Sequence, residues 1–353
     1  MPKFKTVALL VIATGIIALS FVKAPEPLNP DTAPLPTAYE QYHRNEEQTY
    51  LTFPEWYIVY SSDEYAKFIK SNPPSAFPYF SSIKQFWEGY ADVYCLTKDK
   101  YEFNTGYHVM VGVIGTSLTI EYTLKGIYEN TVGRLSEWTA SGRTEQEDFA
   151  ADMQKEYVDF INIYPWYEYD FAGKLVQFIT QTHIKDNNII RKIERTFILS
   201  AEYAGKAVYG WVMKKLTYLS YEPESPFTVV KATDLPDSLL EKEKSMRLIT
   251  KSDDGTKLIA FPRYNAFRNY SLTAAQEGAN FSEIAGNSSV ILVTVIADTG
   301  FSFTDSGETV FTQQILTQPT KKRLGLRLPV TSLTAVLTDL EKQGVLVEHI
   351  YDY

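Results

Sequence analysis

The stretch TSLTAVLTDLEKQGVLVEHIY, residues 331–351, changes its hydrophobic period halfway along. Leu333, Val336, Leu337 and Leu340 recur at three- and four-residue steps and so share one face of a helix, predicted over Thr331–Lys342. Gly344 supplies the left-handed residue on which helices commonly stop, and Val345–Tyr351 then reads as a strand. Upstream, Leu324, Leu326 and Leu328 alternate in the manner of an edge strand, and Thr309–Leu316 and the apolar run Val290–Ala297 read as two more. A helical pattern covers Tyr270–Ile284. Before it, Asp253-Asp254-Gly255 between apolar runs is a strong turn signal, joining Met246–Thr250 to Lys257–Pro262 as a hairpin. Strand, helix, strand, strand, helix, strand is the order of a ferredoxin-like α/β sandwich, expected here for residues 226–353. That scaffold serves many functions and identifies none.

Before Pro226 the texture changes: residues 41–222 read as a mainly helical, aromatic-rich domain. Thr144 and Glu147 form a capping box ahead of Phe149, Met153, Tyr157, Phe160 and Ile161, which share a helical face, and Pro165 ends that helix. Two further stretches repeat one another. Glu121-Tyr122, Lys125, Tyr128, Arg134 and Leu135 recur with the same spacing as Glu202-Tyr203, Lys206, Tyr209, Lys215 and Leu216. Each is preceded by an aromatic-proline turn, Phe77-Pro78-Tyr79-Phe80 or Tyr164-Pro165-Trp166-Tyr167, a pattern that suggests internal duplication of a helical pair. Glu and Lys four apart lie on one face in the favourable order, with Tyr a turn later. Such pairs are ordinary surface devices worth roughly 0.2–0.5 kcal/mol, so a structural helix–helix contact is the preferred reading and a polar functional cleft the alternative.

At the start of the chain, Lys3 and Lys5 precede an uncharged run from Thr6 to Val22, about the minimum to span a bilayer core. The two lysines favour a cytoplasmic N-terminus, which places the body outside the cytoplasm. Residues 1–23 are thus expected to be a membrane helix. A cleavable leader reads similarly, with Ala18-Leu19-Ser20 as an acceptable site and Pro25 spoiling the one after Ala24; the retained anchor is preferred. Pro25, Pro27, Pro30, Pro34 and Pro36 make residues 24–40 a linker with the character of a semi-rigid stalk. The uncharged segment Val109–Ile120 is too short for a second span before Glu121 and Lys125; it reads as a buried core helix or a segment dipping into the membrane surface. The whole is an α+β chain: membrane helix, helical domain, ferredoxin-like domain.

A net charge of -9 argues against nucleic-acid binding, since phosphates demand clustered Lys and Arg. The run Lys321-Lys322-Arg323 is short enough to be a solvated loop face. Cys95 is the sole cysteine, so no internal disulfide forms. The 25 tyrosines and the clusters Phe53-Pro54-Glu55-Trp56-Tyr57 and Tyr164–Phe171 suit packing first, and membrane or binding surfaces second.

Asp298-Thr299-Gly300 and Asp305-Ser306-Gly307 resemble the catalytic loops of aspartic proteases. Those enzymes bring two carboxylates together from two lobes or subunits, which one short connection cannot do. Turn residues are the better explanation. There is no Gly-x-Ser-x-Gly, no phosphate-binding glycine loop and no His-Glu-x-x-His, and His43, His108, His183 and His349 are scattered, so no metal or cofactor is expected. Arg263, Tyr264 and Arg268 make a basic aromatic turn that capping and surface pairing explain as well as an anion does. Asn269, Asn280 and Asn287 begin Asn-x-Ser sequons that matter only under a glycosylating pathway. Two functions follow. The preferred one is a membrane-tethered structural or partner-binding module; the other is an envelope enzyme using Glu55, Glu121 or Glu202 as acid or base, with Lys125 or Lys206 tuning it.

Overall fold

The computed structural model describes residues 28–185, 187–220 and 225–353. The chain is α+β, with mixed helix and two antiparallel sheets. Its first part holds helices α1 Phe53–Ile69, α2 Tyr79–Thr97, α3 Thr105–Tyr128, α4 Glu145–Ile161, α5 Phe171–Gln181 and α6 Ile189–Ser220. Local chemistry sets several starts: Asn104 caps α3, Asp170 caps α5, and Thr144 with Glu147 forms the expected capping box on α4. After Tyr128, α3 continues through a π turn, Glu129–Gly133, into a last helical turn, Arg134–Glu137.

These helices fall into two units of three. Phe53–Ile69 and Glu145–Ile161, the 3-10 turns Pro74–Ala76 and Trp166–Glu168, and the first residues of α2 and α5, Tyr79 and Phe171, correspond at a constant interval of 92 residues. The interval drops to 81 between Glu121 and Glu202, chiefly because α5 has 11 residues where α2 has 19. The packing repeats as well. Tyr65 meets Phe77 edge-on at 4.9 Å as Tyr157 meets Tyr169 at 5.2 Å; Phe77 meets Tyr79 at 5.0 Å as Tyr169 meets Phe171 at 4.9 Å. Phe68–Phe77 and Phe160–Tyr169, at 5.6 and 5.3 Å, complete the match, and α1 and α4 pack together where the units join. Edge-on pairs of this kind add about 0.5–1.5 kcal/mol each to the burial itself.

The second part is β1 Phe227–Thr233, α7 Asp237–Lys242, β2 Arg247–Lys251, β3 Lys257–Pro262, α8 Asn265–Gln276, β4 Asn280–Ile284, β5 Val290–Asp298, β6 Glu308–Gln314, β7 Lys321–Pro329, α9 Leu333–Lys342 and β8 Leu346–Tyr351. The sheets run β2-β3-β1-β4 and β6-β7-β5-β8, every pairing antiparallel. Both follow one permutation, fourth strand beside first, then third, then second. Where the first sheet has α7 between its first two strands, the second has the irregular connection 299–307. Helices α8 and α9 pack on each other, and Phe261, Phe267, Phe281, Val293, Leu326 and Leu337 form one core with them. Each such fully buried side chain contributes about 1.5–3 kcal/mol. The opposite face of the second sheet takes α1: Leu292, Phe311 and Tyr351 pack with Phe53 and Tyr60. Being covered on both faces, β5 reads as a continuous apolar run rather than an alternation.

The structure corrects four expectations. The strands divide between two sheets instead of forming one, and β1 and β4 join the set. The helix expected over 270–284 is α8, which ends before Gly278; that residue's φ of 83° turns the chain and leaves 280–284 free to pair with β1. The alternating leucines 324, 326 and 328 belong to an inner strand, β7, held between β5 and β6. Residues 28–36 are no free stalk: Arg247 donates to the carbonyls of Pro30 at 3.2 Å and Ala33 at 2.6 Å, and Ala33 and Leu35 pack with Phe227 and Ala260. The membrane helix expected at 1–23, and residues 24–27, lie outside the described residues. Val109–Ile120 is the middle of α3, burying Val111, Gly115 and Leu118 and exposing Val109, Val113 and Ile120. Among the described residues no helix is long and apolar enough to cross a membrane.

Candidate functional site

Helices α3 and α6 run antiparallel, as their successive contacts show: Ser117 to Tyr209 at 2.8 Å, Glu121 to Lys206 at 3.0 Å, Lys125 to Glu202 at 2.8 Å and Glu129 to Arg195 at 2.8 Å. Each helix carries Glu and Lys four residues apart, giving internal pairs Lys125–Glu121 at 3.2 Å and Lys206–Glu202 at 3.1 Å. Antiparallel packing then sets each lysine beside the other helix's glutamate. The result is a closed ring of four alternating charges. Tyr65 of α1 lies under Lys125 with its centroid 5.0 Å away, and Tyr157 of α4 lies under Lys206 at 5.6 Å, so each ammonium also has an aromatic floor. Tyr122 and Tyr203, next to the two glutamates, are buried in the matching aromatic clusters.

Four of the five candidate residues therefore converge, and Glu55 does not join them: it sits on α1, where its charge acts on Tyr107 of α3. Within the ring, burial would raise the Glu202 carboxyl, yet Lys125 and Lys206 outweigh it and hold the group at about 2. Glu121 is lowered in the same way, by Lys206 and Lys125 against burial. Burial works to lower Lys125, but Glu202 and Glu121 raise it well above its ordinary value; Lys206 is raised by the same two carboxylates. A carboxylate held that low is a poor base at neutral pH and a lysine held that high a poor acid or nucleophile. The ring is charge-neutral and locked.

Two further buried ion clusters escaped sequence reasoning. Arg195 binds both oxygens of Glu129, at 2.8 and 3.0 Å, and pairs with Glu194; Arg191 holds Glu147 at 2.6 Å and Ser136 Oγ at 2.8 Å. The available signal was Arg191-x-x-Glu194-Arg195, a charge-dense stretch at the start of the helix. The second cluster corrects the reading of Arg323 as part of a solvated face. Only 1 % exposed, it bridges Glu348 at 2.6 Å and Glu64 at 3.2 Å and stands over the Tyr60 ring at 4.4 Å, tying α1 to the second sheet. Burial raises Glu64, with Arg323 pulling the other way. Beside it Trp56 stacks on His349 at 3.6 Å.

Asp298 pairs with Lys321 at 2.9 Å where β5 ends, and Asp305-Ser306-Gly307 lies in the exposed connection to β6. Nothing there resembles a shared-proton pair of carboxylates. Among the described residues no group of three His, Cys, Asp or Glu side chains is placed to hold a metal ion. Two surface concavities lie away from the ring: one of about 160 Å³ includes Tyr94, Phe103 and His108, the other Ser75, Phe80 and Arg134. No family model matches the chain, and comparison with curated proteins and with solved structures found no match.

Proposed function

We propose that the chain is an extracytoplasmic module anchored in a membrane by Thr6–Val22, and that its body binds a partner or serves a structural role. The observation that supports this over an enzyme is the pairing at the ring: Lys125 and Lys206 each reach Glu121 and Glu202, so no acid, base or nucleophile is left poised there. The convergence of two carboxylates with lysines and tyrosines keeps an envelope enzyme as the second reading, one that requires the ring to open. In this proposal the three-helix units descend from a duplication, supported by the constant interval and repeated ring contacts. The two sheets are taken as ferredoxin-like units in tandem, the second without its first helix, on the strength of their common strand order.

The test is cysteine labelling of the full chain in intact cells, in a Cys95→Ser background with Lys84→Cys or Ser306→Cys, both at exposed positions. Labelling of both by a membrane-impermeant maleimide supports the anchored, extracytoplasmic body. Labelling only after lysis overturns it.

A further inference from the structure

Helices α3 and α6 are amphipathic in the inverted sense. Their inward sides carry the ring and the Arg195–Glu129 pair, while the most exposed positions from Thr105 to Tyr128, and again from Ile189 to Leu219, are uncharged; Glu121 of the ring keeps 38 % of its side chain exposed. On α3 the outward residues include Val109, Val113, Ile120, Leu124 and Ile127, and on α6 Ile190, Ile193, Phe197, Val208, Leu216 and Leu219. Leu124 is 64 % exposed, Val208 65 % and Phe197 70 %. A helix facing water shows the opposite arrangement, and a contiguous apolar surface of this extent marks an interaction face.

We propose that the α3–α6 face lies in the interfacial layer of a lipid bilayer. This rests on the anchor reading above, and the shortness of the connection from the apolar run to the folded body supports it. Only residues 23–27 separate the apolar run from Leu28, a reach of at most about 22 Å, and Pro30 and Ala33 are bound to the body by Arg247. An anchored chain therefore holds its body against the membrane. The 32 residues of α6 extend about 48 Å, longer than the roughly 30 Å hydrocarbon core, and its buried charges forbid a span, so the pair lies along the surface. Trp138 and Phe103, 74 % and 63 % exposed, stand past the two ends of α3, where aromatic rings favour the headgroup boundary.

The experiment uses the full Cys95→Ser chain in vesicles of phosphatidylcholine and phosphatidylglycerol, with an environment-sensitive fluorophore at Leu124→Cys or Val208→Cys and, as control, at Lys342→Cys. Quenching at Leu124 and Val208 by lipid-borne nitroxide, several-fold stronger than at Lys342 and with iodide ineffective, is the expected result. Iodide quenching without nitroxide quenching at those positions overturns the proposal. So does disulfide cross-linking between copies through Leu124→Cys, which assigns the face to a second chain. Carbonate extraction of the same vesicles reads the anchor separately: a chain that washes off refutes the anchor, while the quenching ratio still decides the face.

Discussion

Lys125 lies closer to Glu202 on the opposing helix, at 2.8 Å, than to Glu121 on its own, at 3.2 Å. The inter-helix contact is therefore the tighter one, and the i,i+4 pair forms half of a joint between the two helical units. Replacing Glu202 by Gln leaves two lysines sharing one carboxylate. The expected loss is about 2 kcal/mol, below the ~3–5 kcal/mol of a fully buried pair because the ring is partly wetted. Urea unfolding measures it, and adding Lys125→Met should recover part of the loss, whereas independent surface charges would show additive effects.

Acid should attack the same joint. Glu202 at about 2 sits below its ordinary 4.5, so the folded chain takes up that proton less readily than the unfolded one. Its contribution is present above pH 4.5 and disappears as pH falls toward 2. Glu64 and Glu129, raised by burial, act with the opposite sign, so the wild-type curve alone mixes the two. Subtracting the Glu202→Gln curve isolates the ring, and a pH-independent difference between the two would contradict this account.

Arg323→Met should be the more damaging change. It leaves Glu64 and Glu348 buried together without their cation, at an expected cost of about 3–5 kcal/mol. Arg323→Lys, a single ammonium in place of a fork that reaches both Glu348 oxygens, should restore less than half. Thermal unfolding of the two variants distinguishes this from a simple need for positive charge.

Gly325 on β7 faces the ring of Phe311 so closely that a Cβ there would stand 2.3 Å from it. Gly325→Ala should therefore cost about 1–3 kcal/mol through overpacking. The double variant with Phe311→Leu should be more stable than Gly325→Ala alone, and a double variant no better than the single one would locate the strain in the backbone instead.

The helix over 333–342 and the strand that follows it were legible because period and stop signal agree: four leucine and valine positions on one face, then Gly344 at φ 69°. The division into two sheets was not. Strand β4 is five residues, Asn280–Ile284, whose sequence extends the helical pattern of α8 beyond the break at Gly278, and pairing with β1 decides the outcome through contacts distant in sequence. Glu121, Lys125, Glu202 and Lys206 were found together because the two helices repeat a spacing. A contact between helices was the preferred reading of that repeat; which charge meets which was not legible, since spacing fixes a face and leaves the partner open. Arg323 was misread for a related reason: a run of three basic residues reads as solvated, whereas on β7 Lys321 and Lys322 stay half-exposed and Arg323 alone is buried, under α1 beside Glu64.

The repeated Glu-Tyr-x-x-Lys has a consequence for assembly. Because α3 and α6 present the same charges in the same order, either could close an equivalent ring against a copy of itself from another chain, and the motif carries no information about which helix is the correct mate. Discrimination must come from features present in one helix only, such as Arg191 reaching Glu147 and Gly115 fitting under Phe86 and Trp87. Weakening those while sparing the ring should favour swapped pairs before it unfolds the chain.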